Sequence, residues 1–299
     1  MAINYITKDG ALYDQRITQG LITSVLGVPK VEWLNGGKSF TLTTVSTSGF
    51  QPHTRNKGFN EGSVENEKVV YTMGQDRDVE FFVDTQDVDE TNGDLAAARI
   101  SNTFIDEHVT PEIDAYRFAK LANSTLINDK HRRVEAITKA NVYSTLKAAI
   151  LPVRKFGPNN IIAFLSSATM DALEQSTEFT RNITNQNVGQ TALESRVTSL
   201  DGVTLIEVWD DARFKTAYDF ANGFVPTDDA QDINFLVVAK PATIPAVKEN
   251  AVYLFAPGEH TEGDGFLYQN RLYHDLFVKS KQADGLVVST PSAIPVPEA

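Results

Sequence analysis

The chain has 299 residues, 41% of them hydrophobic and 22% charged, with 18 Gly and 12 Pro. That is the make-up of one elaborated globular domain or two interlocked ones, and it excludes a disordered or fibrous chain. Against 27 Lys and Arg stand 39 Asp and Glu, a formal charge of −12, which opposes general affinity for nucleic acid because phosphate binding needs clustered cations. Cysteine is absent, so disulfides, thiolate nucleophiles and thiolate metal sites are excluded together, which suits a protein made in a reducing cytoplasm.

The first residues, Met1-Ala-Ile-Asn-Tyr-Ile-Thr-Lys-Asp-Gly10, lack a basic stretch followed by an apolar one, and no later run reaches the roughly 18 apolar residues of a membrane span. A soluble protein without a signal peptide or membrane contact is expected. Residues 1–35 alternate short apolar patches with polar turns and predict an irregular arm, with one short helix around Ile17–Val25. From Lys38 the pattern changes to period two in Ser39–Ser46, with Phe40 and Leu42 on one face, the mark of a strand. Further strands are predicted at Lys68–Met73 and Asp78–Asp84. The intervening Ser48–Gly62, rich in Gly and mixed charge, is too long for a tight turn, so the region predicts a long two-stranded arm with a mobile tip.

After Asn92-Gly-Asp94 the apolar residues Ile100, Phe104, Ile105, Val109, Ile113 and Tyr116 recur at three and four residues and predict a long amphipathic helix. Pro111 falls inside it, and a continuous, bent helix is expected. A second helix is predicted over Lys139–Leu151, stopped by Pro152, followed by strand Asn160–Leu165 and helix Ser167–Glu174. Strands are then expected at Val203–Val208, Asn234–Ala239, Val252–Phe255, Phe266–Val278 and Gly285–Ser289, with Pro291–Ala299 a loose end. There is no internal repeat and no low-complexity linker. The fold class is α+β.

Candidate chemistry is thin. Gly36-Gly-Lys-Ser39 resembles the end of a phosphate-binding loop, but Glu32 stands where that loop needs its first Gly, so a plain turn before a strand is expected. With Gly93 at the sixth place of a calcium loop, the acidic run Asp84, Asp87, Asp89, Glu90, Asp94 puts Val88 and Arg99 at the first and last ligand positions. Neither coordinates calcium, so a solvated turn at a helix N-terminus is expected. Glu259, His260, Glu262 and Asp264 share a Gly-rich loop but match no metal spacing. His108 borders the apolar stripe and is expected to pack or to face a neighbour. No Gly-x-Ser-x-Gly elbow occurs, and the 5 His sit in no catalytic setting. Lys130-His-Arg-Arg133 is the one compact basic patch and is expected to be a solvated face. No catalytic, cofactor-binding or metal residue is assigned.

The order of N-terminal arm, extended β loop, long helix, strand-helix-strand region and returning strands resembles the major capsid proteins of tailed phages, with the Hong Kong ninety-seven-type fold. Val109–Ala122 resembles the spine helix of such subunits, and Asn160–Leu173 and Gly265–Val278 resemble further stretches of the family. The resemblance implies an N-terminal arm at 1–37, an extended β loop at 38–84, a spine helix at 93–127, an axial domain at 139–239 and a peripheral domain. That last domain would comprise 85–138 with the return at 240–299, which includes the C-terminal tail. It implies a non-enzymatic subunit that self-assembles into hexamers and pentamers of an icosahedral virion shell in the host cytoplasm. A separate scaffolding protein, a portal at one vertex and packaged double-stranded DNA as a non-specific neighbour are the implied partners. Separate scaffolding and an uncleaved subunit are expected because only thirty-odd residues precede the arm. Some relatives crosslink through a loop lysine. Lys57 lies in the tip, but no partner asparagine or catalytic glutamate can be matched, so no crosslink is assigned. A nanocompartment (encapsulin-like) shell of the same fold, or another virion protein such as a tube subunit, is the competing reading.

Overall fold

The computed structural model describes residues 19–27, 38–53, 58–90, 97–124, 126–127, 131–176 and 199–293. The arm strands are β1 (Ser39–Thr47) and β2 (Val64–Thr72), followed by β3 (Gln75–Asp84) and the short helix α1 (Thr85–Glu90). The long helix comprises α2 (Ala97–Phe104), one π turn (Ile105–Val109) and α3 (Thr110–Ala122). Then come β4 (Arg132–Val134), α4 (Val142–Ile150), β5 (Ile161–Ser166), α5 (Ser167–Glu174), β6 (Ser199–Leu200) and β7 (Val203–Val208). The chain closes with β8 (Tyr218–Asp219), β9 (Val225–Pro226), β10 (Phe235–Ala239), β11 (Thr243–Phe255), β12 (Gly265–Val278) and β13 (Leu286–Thr290).

β1 and β2 pair antiparallel from Ser39↔Thr72 to Thr47↔Val64, and the Ser48 amide donates to the Ser63 carbonyl beyond the last pair. The predicted arm is present, but its strand set divides. β3 leaves the arm and pairs along its whole length with β12, in a three-stranded sheet ordered β11-β12-β3. Gly74 is the corner, and its amide donates to Asp275 Oδ2 at 2.9 Å. The first half of β2, Val64-Glu-Asn-Glu-Lys68, shows no apolar alternation because both faces of the arm are open to solvent there.

β13, the expected strand at Gly285–Ser289, and β4, where no strand is predicted, join the six-stranded sheet β4-β13-β10-β5-β7-β6. Its inner strands are apolar at nearly every position because both faces are covered. Ile161, Ala163 and Leu165 of β5, with Phe235 and Val237 of β10, face α4 and α5 through Leu146, Ile150, Met170 and Leu173. Ile162 and Phe164, with Leu236 and Val238, face the long helix through Phe118, Leu121 and Ala122. Period two in the strands thus places alternate residues in two cores. The β6–β7 turn is Asp201-Gly202 with φ of 51° and 82°, the left-handed pair that a two-residue hairpin needs.

The long helix is continuous through Pro111, as expected, and the π turn explains how. Pro111 has no N–H to donate, and its ring would strike the carbonyl of Glu107 four residues back in a regular helix. The chain widens instead, and the Thr110 amide donates to the Ile105 carbonyl five residues earlier. The helix ends at Ala122 rather than at 127. There the Asn123 side chain donates to the Thr216 carbonyl, a competing bond of the kind that draws Asn out of helices. The Lys139–Leu151 helix narrows to α4, which continues as a 3-10 turn through Pro152. Of the N-terminal arm, Ile22–Leu26 form a 3-10 turn, while residues 1–18 and 28–37 lie outside the described residues.

Candidate assembly surfaces

Two buried polar joints hold the layers together. At the first, Asp114 of α3, fully buried, accepts from the Ile22 and Thr23 amides at 3.0 Å each and from the Thr23 hydroxyl at 2.8 Å. Arg213, also fully buried, approaches the same carboxylate at 3.3 Å and donates to the Gln19 carbonyl at 3.0 Å. Arg117, one helical turn on from Asp114, donates to Thr23 Oγ1 at 3.0 Å. Burial pushes the Asp114 carboxyl up, against the pull of the arm amides, the hydroxyl and Arg213, and it pushes the Arg117 guanidinium down. Gln19 extends the joint: its side-chain amide donates to the Glu207 carbonyl and accepts from the Trp209 amide. Residues 19–27 are thereby fastened to the long helix, β7 and the 211–213 turn.

At the second joint, Asp275 of β12 accepts the Tyr116 hydroxyl at 2.8 Å on one oxygen and the Gly74 amide at 2.9 Å on the other. The arm exit, the helix and the sheet meet on this carboxylate. Burial, and then the Asp275 charge, push the Tyr116 hydroxyl up, so it stays a donor. Neighbouring His274 is 1% exposed. Burial first, then the cations of Arg117 and Arg77, push its imidazole down to about 3, so the ring is neutral. Phe40, Leu42 and Tyr71 at the base of the arm pack with Ile244, Tyr273 and Phe277, which roots the arm in its own subunit.

Beyond that root the described residues of the arm leave apolar side chains open to water. Val45, Val64 and Val70 are exposed, and Phe50 and Phe59, flanking its tip, are fully so. Fully exposed aromatic side chains at the end of a projecting ribbon are a contact surface for another molecule.

The sequence candidates fall as follows. Ser39 of the Gly-Gly-Lys-Ser run shares a hydrogen bond with Thr72 at 2.9 Å at the arm base, and Gly36 and Gly37 lie outside the described residues. Asp84 accepts the Gln86 amide at the start of α1, while Asp94 lies outside the described residues. Glu259 accepts the Ala256 amide, His260 shares a bond of 2.8 Å with the Gly265 carbonyl, and the Asp264 carbonyl accepts from Thr85. These are turn bonds, and among the described residues no group of three or more His, Asp or Glu could hold a metal ion. His108 is exposed, its ring 5.8 Å from that of Phe104. His131, Arg132 and Arg133 bond the carbonyls of Leu286, Ser124 and Thr145, so the basic patch is turned onto its own backbone. Lys57 and Lys130 lie outside the described residues.

A polar hollow of about 560 Å³ opens beside His108, Glu112 and His274. In its wall Arg77 Nε pairs with Glu112 at 2.7 Å, and Asp76 pairs with Arg271, outside the lining, at 2.7 Å. No nucleophile stands beside a base there. Sequence reasoning missed both joints, and the signal for the first was the pair Asp114 and Arg117, one turn apart among Ala115, Phe118 and Leu121.

An arm, a spine helix, a three-stranded sheet and a six-stranded sheet in this order define a fold class, that of the shell subunits of tailed phages. The bacteriophage PhiM1 mature capsid superposes with a TM-score of 0.69 at 14% identity, covering 96% of this chain and 92% of that one. The capsid of cyanophage P-SCSP1u gives the same values, and Mycobacterium phage Che8 gives 0.62 at 14% identity over 96% and 97% of the two chains. No family model matches the chain and no curated protein is similar to it in sequence, so the likeness lies in the fold.

Proposed function

We propose that this chain is the major capsid protein of a tailed phage, a subunit that assembles with copies of itself into the closed head and carries no catalytic site. The observation that carries the reading is the near end-to-end superposition on phage capsid subunits, 96% of this chain on 92% of the PhiM1 subunit. Exposed Phe50 and Phe59 support it, since neighbouring copies would cover surface that a monomer leaves in water.

In this reading the β1–β2 ribbon is the extended loop, the long helix with the three-stranded sheet is the peripheral domain, and the six-stranded sheet is the axial domain. Subunits form hexamers and pentamers, and many modest contacts summed over a shell give it strength. The subunit resides in the virion and is assembled in the host cytoplasm. A scaffolding protein, a portal at one vertex and packaged DNA are its partners, and the charge of −12 makes the DNA a neighbour rather than a ligand. The rival reading is a cellular nanocompartment shell of the same fold, and the virus-like particle from Pyrococcus furiosus also superposes. Its TM-score of 0.50 at 11% identity is lower than the phage values. Electron microscopy of the purified protein, alone and with its scaffold, is the test. Closed shells or capsomers are expected, and a strictly monomeric protein under every assembly condition refutes the proposal.

A further inference from the structure

The sheet β11-β12-β3 has two free edges among the described residues, and they differ. Edge strands are templates for pairing with another chain, and proteins guard them with charge, proline or bulges. β3 is guarded, because Asp76, Asp78 and Glu80 alternate along it as exposed residues. The inner half of β11 is guarded by Pro245 and by the register shift between Val247 and Glu249. The outer half, Asn250-Ala-Val-Tyr-Leu-Phe255, has none of these devices. It is uncharged, and Val252, Tyr253 and Leu254 are 48%, 51% and 53% exposed, on both faces of the strand. It stays fully paired to β12 through this stretch, so its inner hydrogen bonds are made and its outer ones face away from the sheet.

We infer that the outer half of β11 is an interface on which a second copy of this chain pairs edge to edge and antiparallel, around a two-fold axis. Self-pairing fits this stretch because the nearest charges on either side are Glu249 and Glu259, with nine uncharged residues between them. Like charges directly opposite destabilise a ladder. Opposed residues must lie on the same face, so the axis passes through a residue rather than between two. An axis at Leu254 sets Glu249 against Glu259 of the other copy, whereas an axis at Tyr253 or at Val252 sets Glu249 against Pro257 or Phe255. The two-fold therefore passes through Val252 or Tyr253. The side chains there then pass from water into an apolar ladder, joining two three-stranded sheets into one of six.

The inference rests on the shell reading for its supply of copies. Because the chain has no cysteine, introduced thiols report cleanly. Opposed residues of an antiparallel pair stand about 4.5–5.5 Å apart, within disulfide reach. The Tyr253→Cys variant and the Val252→Cys variant are each assembled, oxidised mildly and run on a non-reducing gel, with Val225→Cys on exposed β9 as control. Disulfide-linked dimer in most chains of at least one of the first two, several-fold above the control, is expected. Intact shells with no more dimer than the control overturn the edge pairing and leave the shell reading standing. Failure of every variant and of the unmodified protein to form shells sinks the shell reading. The same gel on concentrated free protein then judges the edge by itself, with no more dimer at either β11 position than in the control overturning it.

Discussion

Asp114→Ala removes the acceptor of three hydrogen bonds from the Ile22–Thr23 segment and the partner of Arg213, all fully buried. A buried cation left without its anion costs about 3–5 kcal/mol, and here Arg117 lies in the same pocket, so two guanidinium groups would then share only the Asp210 carboxylate, 3.5 Å from Arg213 Nε. For a chain of this size that corresponds to a fall in Tm of roughly 6–10 °C. Urea denaturation of the unassembled subunit measures the loss. Hydrogen exchange locates it, because the Ile22 and Thr23 amides, whose bonds run to Asp114, should lose protection while β5 and β10 amides keep theirs. Adding Arg213→Met should recover part of the loss, a coupling of about 2 kcal/mol, since the double variant buries one charge fewer than the single. An Asp114→Ala protein within about 1 kcal/mol of the unmodified chain, with the Ile22 amide still protected, would refute the idea that this carboxylate clamps the arm.

His274 makes the fold acid-sensitive. Its folded pKa, down at about 3, lies below its unfolded value near 6.5, so the unfolded chain takes up a proton first and stability falls as pH drops from 6.5 toward 3. The loss by pH 5 should be on the order of 2 kcal/mol, and His274→Phe should remove most of that slope in urea melts at a series of pH values. Gly265→Ala should misfold or lose about 2–3 kcal/mol, because a Cβ there would stand 2.3 Å from the Val83 carbonyl; a melt matching that of the unmodified protein counts against the described β12–β3 packing. In free subunits trypsin should cut at Arg55 or Lys57, since the chain on either side, Gln51–His53 and Gly58–Glu61, is exposed. Assembly should slow that cleavage at least tenfold, and equal rates in both states would remove the contact role of the arm tip.

Where burial and secondary structure coincide, the sequence was informative. β5, α5 and β7 stand close to their expected limits because an apolar run stops where Ser166 turns the chain and caps the helix, accepting the Thr169 amide. Two elements lacked such a signal. The polar half of β2 has no buried face, and the first half of β11 hides behind Pro245 and the Lys248–Glu249 bulge. The helix stripe was legible only up to the π turn. Ile113 and Tyr116 continue the spacing but stay half-buried, while Pro111, Ala115, Phe118, Leu121 and Ala122 form the buried face. The joints were harder still, for Asp114, Arg213 and Gln19 are far apart in the chain and meet only through tertiary packing.

The π turn also acts as a phase adjuster. One residue of surplus in a helix turns everything before it by about 100° relative to everything after it. Phe104 is thereby aimed at Phe81 and Tyr268 of the three-stranded sheet, while Phe118 is aimed at Phe164 of the six-stranded sheet and at Phe214 beside it. A single rod thus addresses two surfaces that a regular helix could not serve at once. Its length between those aromatics is consequently fixed to the residue: deleting any one of residues 105–109 would point the front half the wrong way and would also return Pro111 to a regular turn, against the carbonyl four residues back.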